Sequence, residues 1–193
     1  RRNQKLIEES PPVWLSEFGK EELKKATLMI AKSSNYVNAG TVEFLADNDE
    51  NFYFLEMNTR LQVEHTVTEM RYGIDLVKEQ IKIALGNSLE DFETEARGHS
   101  IEFRINAEDP ANNFLPTPGT ITEYREPMGN GVRVDGWVKT GKSISHFYDN
   151  LISKLVVWGV SREKAISKGK RCLDEYIIGG IPTTISLLSQ VIS

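Results

Sequence analysis

The stretch EMNTRLQVEH, residues 56–65, decides how this sequence is interpreted. If the stretch is extended, its alternate side chains point to opposite faces, so the even positions share one face. The polar side chains on that face are those of Glu56, Asn58, Arg60, Gln62 and Glu64, and the reverse face carries Met57, Thr59, Leu61 and Val63. The pattern therefore predicts a dry face and a polar face that is dense enough to be a site.

A β-hairpin is predicted whose second strand includes the beginning of this stretch. Residues 41–46 and 52–58 are rich in β-branched and aromatic residues, and the polar run 47–50 between them favours a turn. With a loop of those four residues, Glu43 lies diagonal to Glu56 on one face, roughly 7 to 8 Å away between α-carbons. A loop one residue longer or shorter would separate the two carboxylates.

The two carboxylates and a nearby amide suggest a metal site. Mg²⁺ usually takes one or two carboxylates together with nucleotide phosphates, so Glu43, Glu56 and Asn58 suit a metal that bridges a nucleotide. The alternative is an ordinary solvated surface, on which Arg60 and Glu64 form an ion pair of little energetic value. The density of polar groups on one strand face favours the site.

Composition and charge exclude several classes of protein. The chain has 193 residues, of which 39% are hydrophobic and 26% charged, as in an ordinary globular protein of one large or two small domains. Its net charge of −5 argues against nucleic-acid and anionic-membrane partners. Cys172 is the single cysteine, which excludes an internal disulfide framework. No stretch is typical of a signal peptide or a membrane span, so a cytoplasmic location is expected.

Helices are predicted on both sides of the hairpin. Ser16 caps a first helix that runs to about Ser34, because apolar residues recur there with a helical period. Residues 66–69 have the form of a capping box, and the apolar repeat after them predicts one helix that runs to Gly86. The acidic, aperiodic residues 89–98 are interpreted as a linker or a seam between domains.

The second half of the chain is predicted to be mainly strands and a final long helix. Residues 101–107 alternate between apolar and polar, which predicts a strand with one dry and one polar face. Further short strands are predicted at residues 120–125, 131–134 and 152–158. Ser161 caps the helix, Cys172 lies on its apolar face, and Gly179 and Gly180 end it. The fold class is therefore mixed α+β with hairpins, not regular βαβ units.

The remaining chemical groups give weaker signals. Arg104 projects from the polar face of its strand, where it serves a site or pairs with Glu102 or Glu108. Lys5 lies in a basic run that is more often a solvated face than a phosphate clamp. The three histidines, which have no spacing typical of a zinc site or a catalytic triad, are expected to be structural. They are His65, His99 and His146.

Two long motifs resemble the biotin carboxylase family, whose members are subunits or domains of acetyl-CoA, propionyl-CoA and pyruvate carboxylases. They are EMNTRLQVEH followed by TVTEM, and IEFRINAEDP followed closely by FLPTPG. The resemblance runs from residue 1 to about residue 184. It implies the later half of an ATP-grasp core in residues 1–97 and the family's carboxyl-terminal domain, with the biotin site and dimer contacts, in residues 98–193. The family's amino-terminal domain, mobile lid and glycine-rich loop are expected to precede residue 1.

The resemblance also implies a metal and nucleotide site. Glu43, Glu56 and Asn58 would bind the Mg²⁺ or Mn²⁺ ions that bridge ATP, and Glu43 and Glu56 belong to the ATP site as well. Lys5 matches a lysine near the phosphate and bicarbonate site. Asn3 would contact ATP, although it stands where the family often has histidine.

The catalytic roles follow from the same resemblance. Arg60 would hold bicarbonate or the carboxylated product, in a pocket completed by Gln62 and the backbone of Val63. Glu64 would be the general base that deprotonates bicarbonate for attack on the γ-phosphate. Arg104 would stabilise the enolate of biotin that takes up the carboxyl group from carboxyphosphate.

The implied partners are the amino-terminal half of the enzyme, a biotin carboxyl carrier protein or domain, a carboxyltransferase and a second copy of the chain. The turn at residues 127–133 matches a stretch used in the family's dimer contacts, with Arg133 in place and Asn130 where an aromatic residue is common. Two other hypotheses remain open: a different ATP-grasp ligase, such as a carbamoyl-phosphate or peptide-forming one, and a docking and dimerisation module without catalysis. The run from Arg60 to Glu64 and Arg104 speak against the first.

Overall fold

The computed structural model describes residues 4–89 and 94–193, which form mixed helices and antiparallel strand pairs, as the sequence predicts. In chain order the elements are β1 (Ile7–Ser10), α1 (Glu17–Ser33), β2 (Thr41–Ala46), β3 (Phe52–Asn58), α2 (His65–Tyr72), α3 (Leu76–Ala84), β4 (His99–Asn106), β5 (Glu108–Asp109), a 3₁₀ turn (Pro110–Asn112), β6 (Leu115–Pro116), β7 (Gly119–Thr120), β8 (Glu123–Arg125), β9 (Val132–Gly136), β10 (Ser143–Ile144), β11 (Leu151–Gly159), α4 (Arg162–Glu175), β12 (Ile177–Gly179) and α5 (Ile185–Val191). The predicted linker at 89–98 lies partly outside the described residues.

The chain divides into two compact units that interleave along the sequence. Within the described residues, the hairpin unit comprises Pro12–His65 and Gly73–Glu95. Within the same described residues, the sheet unit comprises residues 4–11, Thr66–Tyr72 and Ala96–Ser193. Two short segments from the first half of the sequence thus group with the second half, and the predicted domain boundary between residues 97 and 98 stays a prediction.

The hairpin unit contains α1 and the β2–β3 ribbon. Helix α1 begins as predicted, because the Ser16 hydroxyl accepts a hydrogen bond from the Gly19 amide at 3.0 Å. The hairpin loop is one residue longer than predicted, since Ala46 pairs with Phe52. Asp47 sets this loop, because its carboxylate accepts hydrogen bonds from the amides of Asp49 at 3.0 Å and Asn51 at 2.9 Å.

A β-bulge compensates for the longer loop. Phe44 pairs with Phe54, but the next pair joins Glu43 to Glu56, so Leu55 is an extra residue on β3. The expectation that a longer loop separates the two carboxylates was therefore wrong. The bulge places Glu43 directly opposite Glu56, closer than the predicted diagonal.

The helix predicted from Thr66 to Gly86 is two helices. Gly73 ends α2 with φ +67°, a left-handed conformation that glycine adopts without strain. Asp75 then caps α3, because its carboxylate accepts a hydrogen bond from the Lys78 amide at 2.8 Å. The predicted capping box was also wrong, since Thr66 lies inside α2 and is fully buried.

The sheet unit is built on four antiparallel strands in the order β1-β4-β11-β9. One face of this sheet packs against α4 and α5 in an apolar core. Its buried members are Ile101, Phe103, Ile105, Leu155, Val157, Ala165, Cys172, Leu173, Tyr176 and Leu188. Cys172 is therefore a core residue, as predicted, and α4 lies close to the sheet because a Cβ at Gly169 would meet the Phe103 ring at 2.9 Å. Helix α4 ends at Glu175, earlier than predicted, because residues 177–179 pair with β8.

The opposite face of the sheet differs from what the sequence predicts. The strand predicted at residues 101–107 is β4, but its polar face is not solvated, because Glu102 is fully buried. Glu8 on β1 pairs with Glu102, and Lys154 on β11 pairs directly with Arg104. This buried charged face carries the second group of candidate site residues.

Candidate functional site

The polar side chains predicted to share a face do converge, although the chain is not extended throughout. Strand β3 ends at Asn58, a bend follows at residues 59–60, and a turn at residues 63–64 leads into α2. The prediction of one long strand was therefore wrong beyond Asn58. The side chains nevertheless meet, because the bend returns the chain towards β2, where Gln62 contacts Glu43.

Short hydrogen bonds join this polar cluster. The Gln62 side-chain amide donates to the Glu43 carboxylate at 2.5 Å, and the Asn58 amide donates to Glu43 at 3.1 Å and to Glu56 at 2.9 Å. The Arg60 guanidinium donates to the Asn58 side-chain oxygen at 3.2 Å. Of the described residues, none forms a hydrogen bond with the buried Oε1 atom of Gln62. A buried acceptor without a partner is costly, so this oxygen marks a place for a ligand donor.

The turn that follows carries the predicted general base. Val63 and Glu64 are both half-buried, and His65 begins α2. The His65 ring contacts the Gln62 carbonyl oxygen through Nδ1 at 2.7 Å, and its backbone amide donates to the same oxygen at 3.4 Å. His65 thus fixes the turn that holds Glu64.

The cluster fits a divalent cation with a small adjustment. The nitrogen of the Asn58 amide lies against both carboxylates, in the position that suits a positive group. Exchanging the nitrogen and oxygen of that amide by a half-turn would give Glu43, Glu56 and Asn58 as three oxygen ligands, a set that suits Mg²⁺. Residues 4–89 and 94–193 contain no group of three or more His, Cys, Asp or Glu side chains placed to hold a metal. A cation at this cluster therefore depends on the amide and on further ligands such as phosphate oxygens.

Arg104 lies in the sheet unit and has a partner that the sequence did not suggest. Its Nε and Nη2 atoms contact one oxygen of Glu8 at 2.6 and 2.5 Å, whereas Glu102 lies 4.0 Å from Nε. The expected salt bridge to Glu102 is thus present at 4.0 Å, but the closer partner of the guanidinium is Glu8. Because Glu8 takes one edge of the planar guanidinium, the direction of the opposite edge is fixed too.

The two remaining predicted residues lie at the start of the chain. Lys5 is exposed and precedes Leu6, whose carbonyl oxygen accepts a hydrogen bond from the Arg104 amide at 3.0 Å. The backbone next to Lys5 is therefore hydrogen-bonded to the strand that carries Arg104. The predicted ATP contact of Asn3 lies outside the described residues.

Glu102 has an altered acidity because of its environment. Burial raises the pKa of its carboxyl from 4.5 to about 7, and the nearby charge of Glu8 raises it as well. A hydrogen bond from the Thr66 hydroxyl and the charges of Lys154 and Arg104 oppose this rise. Glu102 therefore changes charge close to neutral pH.

This titration predicts how the stability of the fold depends on pH. Between pH 4.5 and about 7 the folded chain binds more protons at Glu102 than the unfolded chain does, so the free energy of unfolding falls as the pH rises through this window. In Glu102→Gln the fall should be smaller by up to about 3 kcal/mol. Urea unfolding of both proteins at pH 5, 6, 7 and 8 measures the difference. An equal fall in both would contradict the assigned titration, and Glu123→Gln, which changes an exposed carboxyl, is the control.

Sequence reasoning missed three residues of the charged face, namely Glu8, Thr66 and Glu102. Glu8 belongs to a strand of four residues, too short to show a period, and Thr66 has the pattern of a helix cap. Glu102 alternates with apolar residues, as a solvated strand face also does. Only the pairing of β1 with β4 and the contact with α2 show that this face is buried.

Family models divide the chain between two known domains. Residues 102–193 match the biotin carboxylase C-terminal domain, and residues 1–92 match the carbamoyl-phosphate synthase L chain, ATP binding domain. Curated relatives match both of these regions in one continuous alignment. The chain is 50% identical to the biotin carboxylase of Nostoc sp. over 99% of its own length and 43% of the relative's. It is 50% identical to biotin carboxylase 1 of Bacillus subtilis over 96% of its length and 42% of the relative's.

Solved structures agree with the sequence comparisons. The biotin carboxylase domain of Hydrogenobacter thermophilus 2-oxoglutarate carboxylase, described as a dimer in complex with MgADP, ADP and bicarbonate, superposes with a TM-score of 0.96. It is 46% identical, and the match covers 100% of this chain and 43% of that one. The fold is thus the ATP-grasp fold of biotin-dependent carboxylases. The chain belongs to the biotin carboxylase family, and it spans about two fifths of the length of the relatives it matches.

Across the described part of the chain, no helix has both the length and the apolar character required to cross a bilayer.

Proposed function

We propose that this chain supplies the bicarbonate, metal and biotin residues of an ATP-dependent biotin carboxylase. The observation that carries the proposal is the polar cluster of the hairpin unit, in which two carboxylates, two amides and a guanidinium are joined by hydrogen bonds. Such a set combines ligands for a cation with donors for an anion. A reaction between Mg-ATP and bicarbonate needs both.

The metal role belongs to Glu43, Glu56 and Asn58. When bound, Mg²⁺ or Mn²⁺ would neutralise the phosphate oxygens of ATP and so favour attack on the γ-phosphate. The residues themselves contribute position: the bulge at Leu55 sets the two carboxylates face to face, and Gln62 holds Glu43. The related domain described with MgADP supports this assignment.

The bicarbonate step belongs to the bend and turn after β3. Arg60, Gln62 and the backbone of Val63 would hold the anion, whose one hydroxyl then faces Glu64. Glu64 would take that proton as general base. The oxygen freed in this way attacks the γ-phosphate, ADP leaves, and carboxyphosphate forms.

The second step transfers the carboxyl group to biotin. Carboxyphosphate breaks down to CO₂ and phosphate, and the phosphate takes the proton from the ureido nitrogen of biotin. Arg104, held by Glu8, would stabilise the enolate that results, and the nitrogen then attacks CO₂ to give carboxybiotin. Lys5 is assigned to the binding of phosphate and bicarbonate.

An exposed apolar surface supports the proposed partner, the amino-terminal half of the enzyme. The hairpin unit leaves several large hydrophobic side chains exposed. They include Phe18, Met29, Val37, Leu45, Tyr53, Phe54, Leu55, Ile81 and Leu85. A further polypeptide segment that packs on this unit and completes the nucleotide site would bury them. The proposed carrier protein would present its biotin to the site, and the carboxyltransferase would act afterwards on carboxybiotin.

The function is tested by complementation. ADP release with Mg²⁺ is measured for the chain alone and after addition of the amino-terminal half of a matching biotin carboxylase, with and without bicarbonate and biotin. We expect activity that requires both halves and both substrates. ATP cleavage that needs ammonia and not biotin would favour a carbamoyl-phosphate type of ligase, the other activity named by a matching family model. No cleavage from a verified folded complex would favour a docking module.

A homodimer is also proposed, through the turn at residues 127–133. Arg133 is held there by two hydrogen bonds of 2.7 Å to Asp135 and one of 2.6 Å to Glu69, so it is fixed in place for a contact. The exposed Met128 beside it provides apolar area, and the related 2-oxoglutarate carboxylase domain is described as a dimer. Sedimentation of the chain should show a concentration-dependent dimer, and a strict monomer at high concentration would count against it.

A further inference from the structure

The charged face of the sheet unit contains a buried carboxyl that the proposed reaction does not use. Glu102 is fully buried on β4, two residues before Arg104. Its Oε2 atom accepts a hydrogen bond from the buried Thr66 hydroxyl. Within the described ranges its Oε1 atom has no hydrogen-bond partner, and it lies 4.0 Å from Nε of Arg104.

Burial of this carboxyl costs free energy, which neighbouring groups have to offset. Removing a carboxylate from water costs several kcal/mol, and a partnerless oxygen adds to that cost. The same position would accept an apolar side chain, since the opposed residue on β11 is Val156. The Thr66 hydroxyl and two nearby cations offset this cost. The cations are Arg104 and Lys154, which pair directly across β4 and β11.

The arrangement of charges shows what Glu102 does for Arg104. Two cations directly opposite each other on neighbouring strands repel, and Lys154 has its own acid, Asp135, at 3.7 Å. Glu8 contacts the edge of Arg104 that carries Nε and Nη2, and Oε1 of Glu102 lies 4.0 Å from Nε. Both acids therefore contact the Nε side of the guanidinium, and together they fix the direction of its opposite edge.

We propose that Glu102 and Thr66 are positioning residues for Arg104: the Thr66 hydroxyl holds the Glu102 carboxyl, and that carboxyl, with Glu8, fixes the direction in which the guanidinium meets the biotin enolate. This inference rests on the proposed function. The groups that face Glu102 are Glu8 from β1, Arg104 on its own strand, Lys154 from β11 and Thr66 from α2. The raised pKa of Glu102, about 7, then makes the positioning depend on pH.

The test is kinetic and uses the chain assembled with its amino-terminal half. Glu102→Gln should lower kcat/KM for biotin about tenfold, as loss of an outer supporting partner commonly does, without changing the KM for ATP. The inflection near pH 7 in the profile of the wild-type reaction should disappear in this variant. Thr66→Val should act in the same direction, Thr66→Ser should restore the wild-type rate, and the double variant Thr66→Val/Glu102→Gln should be no worse than Glu102→Gln alone.

The control is Glu108→Gln, which changes another buried carboxyl, one that accepts a hydrogen bond from Asn150. An equal loss in this control, or an unchanged pH profile in Glu102→Gln, would overturn the inference.

A second measurement separates this inference from the proposed function. In the ¹⁵N-labelled chain, the Nε–H resonance of Arg104 should move with a midpoint near pH 7 and should stop moving in Glu102→Gln. A resonance that does not titrate in the wild type would refute the positioning role. A titrating resonance in a complex without biotin-dependent ATP cleavage would refute the proposed function and leave the link between Glu102 and Arg104 in place.

Discussion

Replacing Arg104 by alanine should abolish biotin-dependent turnover while ATP still binds. The guanidinium is the cation of the charged face that is oriented by Glu8, and it is the one assigned to the developing enolate. Removing a charged donor at such a position lowers the rate by about 10²- to 10³-fold or more. The measurement is biotin-dependent ADP release by the assembled enzyme, together with nucleotide affinity by calorimetry.

Arg104→Ala also leaves Glu8 without its cation, so its effect has to be separated from misfolding. Arg104→Lys keeps a positive charge for Glu8 but lacks the planar two-edged guanidinium, and it should lose nearly as much activity. Arg125→Ala, which changes an exposed arginine on β8, should be fully active. If either Arg104 variant lost ATP binding instead of biotin-dependent turnover, the role assigned to Arg104 would be wrong.

The second large effect is expected at Glu64. Glu64→Gln keeps the size of the side chain but removes the basic oxygen, so bicarbonate-dependent ATP cleavage should fall by about 10²- to 10⁴-fold. Bicarbonate affinity should change far less, because Arg60 and Gln62 hold the anion in the proposed site. Single-turnover measurements of ADP formation separate the two effects.

Glu21→Gln is the matched control for Glu64. It makes the same chemical change at an exposed position of α1 in the same unit, and it should leave the rate unchanged. A fully active Glu64→Gln enzyme would remove Glu64 from the mechanism and would leave a phosphate oxygen as the proton acceptor.

The sequence predicted local elements well where one physical signal dominated. Ser16 caps α1, the apolar face of α4 carries Cys172, and residues 41–46 and 52–58 form the hairpin, all as expected. It failed at the helix from Thr66 to Gly86, because a run of apolar residues at helical spacing does not show that Gly73 adopts a left-handed conformation. The break is visible in the sequence only as Gly73 followed closely by Asp75, two weak signals that the apolar period outweighed.

The candidate site shows a similar division. The even-numbered residues from Glu56 to Gln62 were predicted to lie together, and they do, although a bend and not a long strand unites them. The partner of Arg104 was not predictable in the same way. Glu8 reaches Arg104 through the pairing of β1 with β4, which joins residues more than 90 positions apart. Alternation within one strand cannot show which other strand lies beside it.

The bulge at Leu55 affects how this hairpin should be aligned with those of distant ligases. Loop length is the usual place to put a gap when two hairpins differ by one residue. Here the register of the two strands shifts by one residue between Phe44 and Glu43. Leu55 is the extra residue on β3 that accounts for this shift. A homologue without a residue at Leu55 would still place its two acids face to face, so the gap belongs inside β3. An alignment that puts the gap in the loop would shift the residues at Phe52–Phe54 by one position and would miss the bulge, although Glu56 would still be matched.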